Sequence, residues 1–305
     1  MKRTITQVDT VEEHDTKTQR FDATLADEEY DTRTHMLALE TKYRNPANLF
    51  INQRHVTKNI RATVVRWLCE TCEVYNFSRS SLFLAVSLFD RVLAKSNNVK
   101  LTRVQLIAVT CLVIATKYWQ TANNEPLEPG MKTPGSLMPE AAASATDGLV
   151  DTEDVINAEA LILNLLEFNV TMVTVETMLD LEIEGSESHG WSAGQSLAWC
   201  IAETTLLDPV VGSMLPSVVA SEILNIVRQV KVFEGDTDVQ WPMNLSNFRE
   251  RAKIIECVNA SLSYTNSTTF DICDIARKYA VGMQFNASQR LHKFMPTAKS
   301  ISVTD

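Results

Sequence analysis

Six cysteines and five histidines are the side chains of this sequence best suited to bind a metal or attack a substrate. The cysteines stand at Cys69, Cys72, Cys111, Cys200, Cys257 and Cys273, and only Cys69-x-x-Cys72 form a close pair. Structural zinc needs four ligands, and this pair has neither a second pair nor a nearby histidine. A C-x-x-C dithiol follows a strand, whereas this one falls inside a helical pattern. Packing is the better reading, with thiols serving as small buried hydrophobes in a reducing compartment. His14, His35, His55, His189 and His292 are scattered through polar segments and form no i, i+4 pair. No Walker loop or dinucleotide fingerprint occurs. The residues nominate no catalytic group, no metal ligand and no cofactor.

Composition narrows the class. Apolar residues are 45% and charged residues 22%, as in an ordinary globular chain, and 305 residues suffice for two domains with separate cores. Nine glycines are few for an α/β enzyme with phosphate loops. A formal net charge of −10 weighs against nucleic acid, because neutralising phosphates takes clustered Lys and Arg. Met1-Lys2-Arg3 runs into polar residues without the apolar stretch of a secretory signal. The most apolar run, residues 106–115, is short of the about 18 residues a spanning helix needs. The expectation is a soluble intracellular protein that binds other proteins, with no membrane and no nucleic acid among its partners.

The elements that position these residues are helical throughout. Residues 1–26 lack an apolar period and read as a disordered tail. A short helix from Asp27 to about Tyr43 carries Met36 and Leu39 on one face and ends before Asn45-Pro46. Thr57 caps a helix from Lys58 to about Tyr75, with Ile60, Val64, Trp67 and Leu68 on one side. Ser80 or Ser81 caps the next, where Leu82, Val86, Phe89 and Leu93 repeat at three and four. A third opens near Thr102, and Leu101, Val104, Ala108, Cys111, Ala115 and Tyr118 keep a 3.6-residue period. Residues 120–139 hold four of the nine prolines, which predicts a long surface loop. A short helix over 140–145 follows. Asp151 or Thr152 then starts one over 155–168, whose stretch Ala160-Leu-Ile-Leu-Asn-Leu-Leu166 is apolar nearly all round and so belongs at the centre of a bundle. In the second half, helices are expected at about 172–184, 191–206, 216–230, 245–263 and 269–281.

Particular stretches carry more than helix period. Ile60-Arg-Ala-Thr-Val-Val-Arg-Trp67, Leu82-Phe-Leu-Ala-Val86, Phe89-Asp-Arg91, Val104-Gln-Leu106, Ile114-Ala-Thr-Lys117 and Ala158-Glu159 follow one another in the order of a cyclin box, which they strongly resemble. Ser196-Leu-Ala198, Leu207-Asp208, Leu215-Pro-Ser-Val-Val-Ala220 and Trp241-Pro242 resemble the C-terminal fold of A- and B-type cyclins. The resemblance covers about residues 50–285. It implies an all-α fold of two tandem five-helix cyclin-box domains preceded by a short N-terminal helix. The implied boundaries are a tail at 1–26, a helix and linker at 27–52, an N-terminal cyclin box at 53–169, a C-terminal cyclin fold at 170–285 and a tail at 286–305.

The resemblance also implies a function. The chain would be a non-enzymatic regulatory subunit in the nucleus and cytoplasm. It would bind and allosterically activate a cyclin-dependent Ser/Thr protein kinase and help recruit substrates in cell-cycle control. Lys117 and Glu159 match the family's kinase-contacting pair, with Ile114, Leu163 and Phe168 as its apolar neighbours. Docking there would press the kinase's C helix inward, so that the cyclin favours the active conformer by binding it better. Ile60, Val64, Trp67, Glu70 and Gln105 match a patch that recruits Arg-x-Leu motifs in substrates and inhibitors, Glu70 facing the motif's basic residue. Arg61 and Asp90 match the ion pair joining the first two box helices.

Some positions depart from the family. Thr63 stands where a larger aliphatic residue is usual, Arg66 where an acidic one is, and Trp119-Gln120 where an acidic pair is. The loop at 120–139 is longer than is typical, and Thr133-Pro134 within it is the chain's only Ser/Thr-Pro site. The N-terminal tail holds no Arg-x-x-Leu or Lys-Glu-Asn destruction signal. Two alternatives are a transcriptional-type cyclin, which the A/B-like second half disfavours, and a cyclin-like general transcription factor. The latter calls for a basic face and a zinc ribbon that the sequence lacks.

Overall fold

The computed structural model describes residues 32–123, 139–184, 193–234 and 248–263, with scattered positions between 275 and 294. The N-terminal tail, most of the expected loop with Thr133-Pro134, Trp241-Pro242 and most of the expected helix at 269–281 lie outside the described residues. The expected C-terminal tail at 286–305 is corrected in part: Ala287, Leu291 and Phe294 are buried and Arg290 pairs with Glu234, so apolar side chains in a largely polar stretch pack onto the fold. The described residues are helices and turns, with no strand among them.

Helix α1 covers residues 32–42. The first unit then contains α2 (Lys58–Val74), α3 (Arg79–Lys95), α4 (Leu101–Asn123), α5 (Pro139–Ser144) and α6 (Thr152–Leu165). The second contains α7 (Val175–Glu184), α8 (Ala193–Thr205), α9 (Pro209–Gly212), α10 (Pro216–Phe233) and α11 (Phe248–Ser263). Caps explain several starts. Thr57 accepts from the Ile60 N–H, and Asp151 accepts from the Asp154 N–H at 2.8 Å, as N-cap oxygens do. The cap of α3 is Ser78 rather than Ser80 or Ser81: its hydroxyl accepts from the Ser81 N–H at 3.1 Å. Asn76, in the left-handed region at φ 53°, ends α2 and lets the next helix begin early. Ser80 is used elsewhere, donating to Glu176 Oε1 at 2.5 Å and so joining the first turns of α3 and α7.

The centre of the first unit is α4, not α6. Ala108, Val109, Cys111, Leu112, Val113 and Ala115 are fully buried, and the helix packs against α2, α3, α5 and α6. It runs further than its most apolar stretch suggested. Among the described residues α4 is the helix long and apolar enough, by length and composition, to cross a membrane, and here that surface is enclosed by four helices. By contrast α6 buries only Val155, Ala158 and Ile162, and it ends at Leu165. Leu161 is 71% exposed and Ile156 51% exposed. Its all-round apolarity therefore marks a surface helix with uncovered flanks, contrary to the central place expected for it. One flank borders a groove of about 400 Å³ against α3 and α4, edged by the Arg103–Asp154 ion pair at 3.5 Å.

In the second unit α10 plays the corresponding part. It buries Ile223, Ile226, Val227 and Val230 against α7, α8 and α11. α8 is enclosed from Ser196 to Thr205. Glu40 of α1 reaches across to this unit. Its carboxylate accepts from the Ser217 N–H at 2.8 Å and the Ser217 hydroxyl at 2.6 Å, capping the positive end of α10. Arg33 pairs with Glu182, and Arg44 donates to the Ser213 carbonyl, both across the same junction.

Candidate functional site

Lys117 lies near the C-terminal end of α4 and Glu159 in the middle of α6, and the fold brings them together. Lys117 Nζ donates to both Glu159 carboxylate oxygens at 2.8 Å. Exposed pairs of this kind add about 0–1 kcal/mol to stability, too little to explain their placement by folding alone. The carboxylate oxygens keep acceptor capacity beyond the two bonds they make.

Apolar residues lie along the same two helices and just beyond them. Leu163 is half-buried four residues after Glu159, on the same face of α6. Ile114, one turn before Lys117, is only 4% exposed and so belongs to the core rather than to contact surface. Phe168 lies beyond the helix it was expected to end. It is 67% exposed and sits at φ 55°, directly after Glu167 at φ 56°. Two successive left-handed residues without glycine are unusual, and each costs about 1–2 kcal/mol. Ile156 completes the face. It stands three residues before Glu159, and that spacing was open to view in the sequence although the residue was not singled out.

A second surface lies on α2. Ile60, Val64 and Trp67 are half-buried and share one side of the helix, with Glu70 exposed at its end. Gln105 of α4 is half-buried and follows buried Val104, and α2 packs on α4. Thr63 is exposed and turns its hydroxyl back to the Asn59 carbonyl at 3.1 Å. Among the variant positions, Trp119 packs edge-on to Tyr118, and its indole N–H meets no acceptor among the described residues.

Arg61 and Asp90 are buried together. Arg61 donates to the two Asp90 oxygens at 2.6 and 2.7 Å, and its remaining arm reaches the Leu206 carbonyl at 2.8 Å. The pair thus joins three elements, including one from the second unit. A further buried acid, Glu203, ties the units at another point. It accepts from Lys278 at 2.9 and 3.0 Å and from the Tyr279 hydroxyl at 2.9 Å, with Arg79 at 3.5 Å. Burial disfavours the Lys278 ammonium, but Glu203 more than offsets this and holds its pKa above the ordinary value. Burial, with Glu203 beside it, also pushes Tyr279 well up.

Cys69 and Cys72 are both buried, and burial raises the Cys72 thiol far above its usual range. One pattern was passed over in the sequence: Gly190-Trp-Ser-Ala-Gly194 spells the G-x-S-x-G of a nucleophile elbow. That elbow joins a strand to a helix. Among the described residues the preceding element is helix α7, and Ser192 lies outside them.

Residues 31–171 match the family described as Cyclin, N-terminal domain. Curated relatives include Cyclin-A3-1 of Oryza sativa subsp. japonica, 30% identical over 221 residues, which are 70% of this chain and 55% of that protein. Cyclin-A1-2 of the same plant is 29% identical over 245 residues, 78% of this chain and 47% of its own length. G2/mitotic-specific cyclin-A of Patella vulgata is 26% identical over 254 residues, 82% of this chain and 54% of its own. The chain thus spans about half the length of the curated relatives it matches. Among solved structures, a viral cyclin from herpesvirus saimiri superposes with a TM-score of 0.53 at 17% identity, over 89% of this chain and 99% of that one. The yeast RNA Pol II CTD kinase CTDK-1 complex contains a chain superposing with a TM-score of 0.52 at 17% identity, over 81% of each.

Proposed function

The chain belongs to the cyclin family, and from that premise we propose that it is a regulatory subunit which binds and activates a cyclin-dependent Ser/Thr protein kinase in cell-cycle control. The observation that carries the reading is the surface pair Lys117–Glu159, bridged across α4 and α6, with Ile156 exposed one turn before Glu159 and Phe168 exposed beyond the end of α6. Charged groups of little value to folding, set among apolar side chains that the chain itself leaves uncovered, suit a partner that supplies both hydrogen bonds and cover. The A-type curated relatives favour a cell-cycle kinase over a transcriptional one.

The mechanism is a population shift. The cyclin docks beside the kinase's regulatory helix and binds the active conformer more tightly, so it raises that conformer's share without contributing a catalytic group. Ile60, Val64, Trp67, Glu70 and Gln105 then recruit substrates or inhibitors bearing Arg-x-Leu, the leucine entering the apolar face and Glu70 receiving the basic residue. Nuclear and cytoplasmic residence belongs to the same proposal and is tested by imaging the tagged chain. The deciding experiment is a pull-down from source-cell extract with identification of the captured kinase and an assay of histone phosphorylation. Capture of an active cyclin-dependent kinase is expected; a chain that captures none, or captures one without activating it, overturns the reading.

A further inference from the structure

The turn that carries Phe168 is gripped by two cations of α3, and we propose that Arg91 and Lys95 are positioning residues that present Phe168 to the kinase. The proposal rests on the reading above. After α6, the N–H groups of Leu166, Glu167, Phe168 and Asn169 donate to the carbonyls of Ile162, Asn164, Leu163 and Leu166 at 2.8–3.0 Å. These bonds close the helix through the two left-handed residues. The carbonyls of Leu165 and Asn169, on either side of the turn, are the ones that α3 takes. Lys95 Nζ donates to the Leu165 carbonyl at 3.3 Å, and Arg91 donates to the Asn169 carbonyl at 2.8 Å. Lys95 also donates to Glu167 Oε1 at 3.0 Å. Residues 91 and 95 are four apart, so the two cations stand one above the other on one face of α3.

Glycine or asparagine is the usual residue where a helix closes in the left-handed region. Here the chain places glutamate and phenylalanine there, and it leaves the ring outside the core. Such an arrangement does nothing for the chain's own folding and makes sense as a contact held ready. Basic side chains near a helix C-terminus ordinarily serve that helix's own carbonyls. Arg91 and Lys95 instead reach across to the turn after α6, fixing its backbone on both sides of Phe168 while leaving the ring uncovered. The adjacent Asp90 points inward to Arg61, so one turn of α3 anchors both the buried pair and the exposed ring.

The test is a double-mutant cycle on the full chain, read as affinity for a purified cell-cycle cyclin-dependent kinase. Phe168→Ala and the pair Arg91→Ala/Lys95→Ala are each expected to weaken binding about tenfold, and all three together no more than about tenfold. Hydrogen exchange at the amides of residues 167–169 should speed up in the clamp variant. Lys95→Gln, at a side chain 43% exposed, is a gentler variant that leaves the fold intact should Arg91→Ala impair it. It is expected to weaken binding about threefold alone and to add nothing to Phe168→Ala. Losses that multiply to about a hundredfold overturn the proposal. So does unchanged affinity in both clamp variants. A wild-type chain that binds no kinase overturns the parent reading and the clamp with it, whereas normal wild-type binding with multiplying losses removes the clamp alone.

Discussion

Arg61 holds Asp90 through two parallel hydrogen bonds of 2.6 and 2.7 Å, with 1% of the arginine side chain exposed, and spends its third contact on the Leu206 carbonyl at 2.8 Å. Desolvating two charges offsets much of their attraction, so the pair contributes orientation more than stability. Its position explains what it orients. Gly212 of α9 lies close by: a Cβ there would stand 3.8 Å from Asp90 Oδ2 and 3.9 Å from an Arg61 nitrogen. The guanidinium is therefore the point where α2, α3 and the second unit are held in register.

Removing one partner leaves an uncompensated buried charge. Arg61→Met should lower the unfolding free energy by about 3–5 kcal/mol, while Arg61→Met with Asp90→Leu should cost far less. Urea unfolding of the two variants checks this; equal losses in both would refute the account.

The surface pair should behave in the opposite way. Lys117→Ala with Glu159→Ala should abolish kinase co-purification yet leave the helical circular dichroism unchanged and shift stability by no more than about 1 kcal/mol. Kinase binding retained by the folded variant would sink the assigned interface.

The patch on α2 predicts a selective defect. Glu70→Lys, at an exposed position, should raise the KM for Arg-x-Leu substrates about tenfold by like-charge repulsion and leave short peptides lacking the motif unaffected. Steady-state kinetics on the two substrate classes separates docking from kinase activation.

Buried thiols set an alkaline limit. Burial, joined by Glu203 for Cys72 and by Asp90 for Cys111, holds both thiols protonated well above their ordinary 9.0, and burial pushes Cys257 up to about 12. In the unfolded chain they ionise near 9.0, so above that pH the unfolded state binds fewer protons and folding stability falls. The decline should approach about 1.4 kcal/mol per pH unit for each thiol. Cys111→Ala should flatten the slope by one thiol's share in denaturant titrations between neutral and alkaline pH, and an unchanged slope would exclude that thiol as a cause.

Local signals were legible in the sequence, and signals that depend on distant partners were not. Thr57 was found as a cap, and Asp151 as one of two adjacent candidates, because each acts on an N–H three residues ahead. Ser78 escaped because its role depends on left-handed Asn76 stopping the preceding helix. The error over α6 has a physical cause: periodicity reports which faces are apolar but not what covers them. In α4 the cover is four helices of this chain; on α6 Ile156 and Leu161 are left exposed. Lys117 and Glu159 were singled out by resemblance, and no spacing rule could have shown that 42 residues of separation close to 2.8 Å. The contacts of Arg61 with Leu206 and Glu40 with Ser217 were likewise invisible, since each joins segments more than a hundred residues apart.

The cap that Glu40 places on α10 has a temporal side. Glu40 leaves the ribosome 177 residues ahead of Ser217. At about 5–20 residues per second, α1 waits roughly 9–35 s before the helix it completes exists. The cap on α10 therefore cannot form until synthesis has run well past the helix that supplies it, so α1 stays without this partner through that interval.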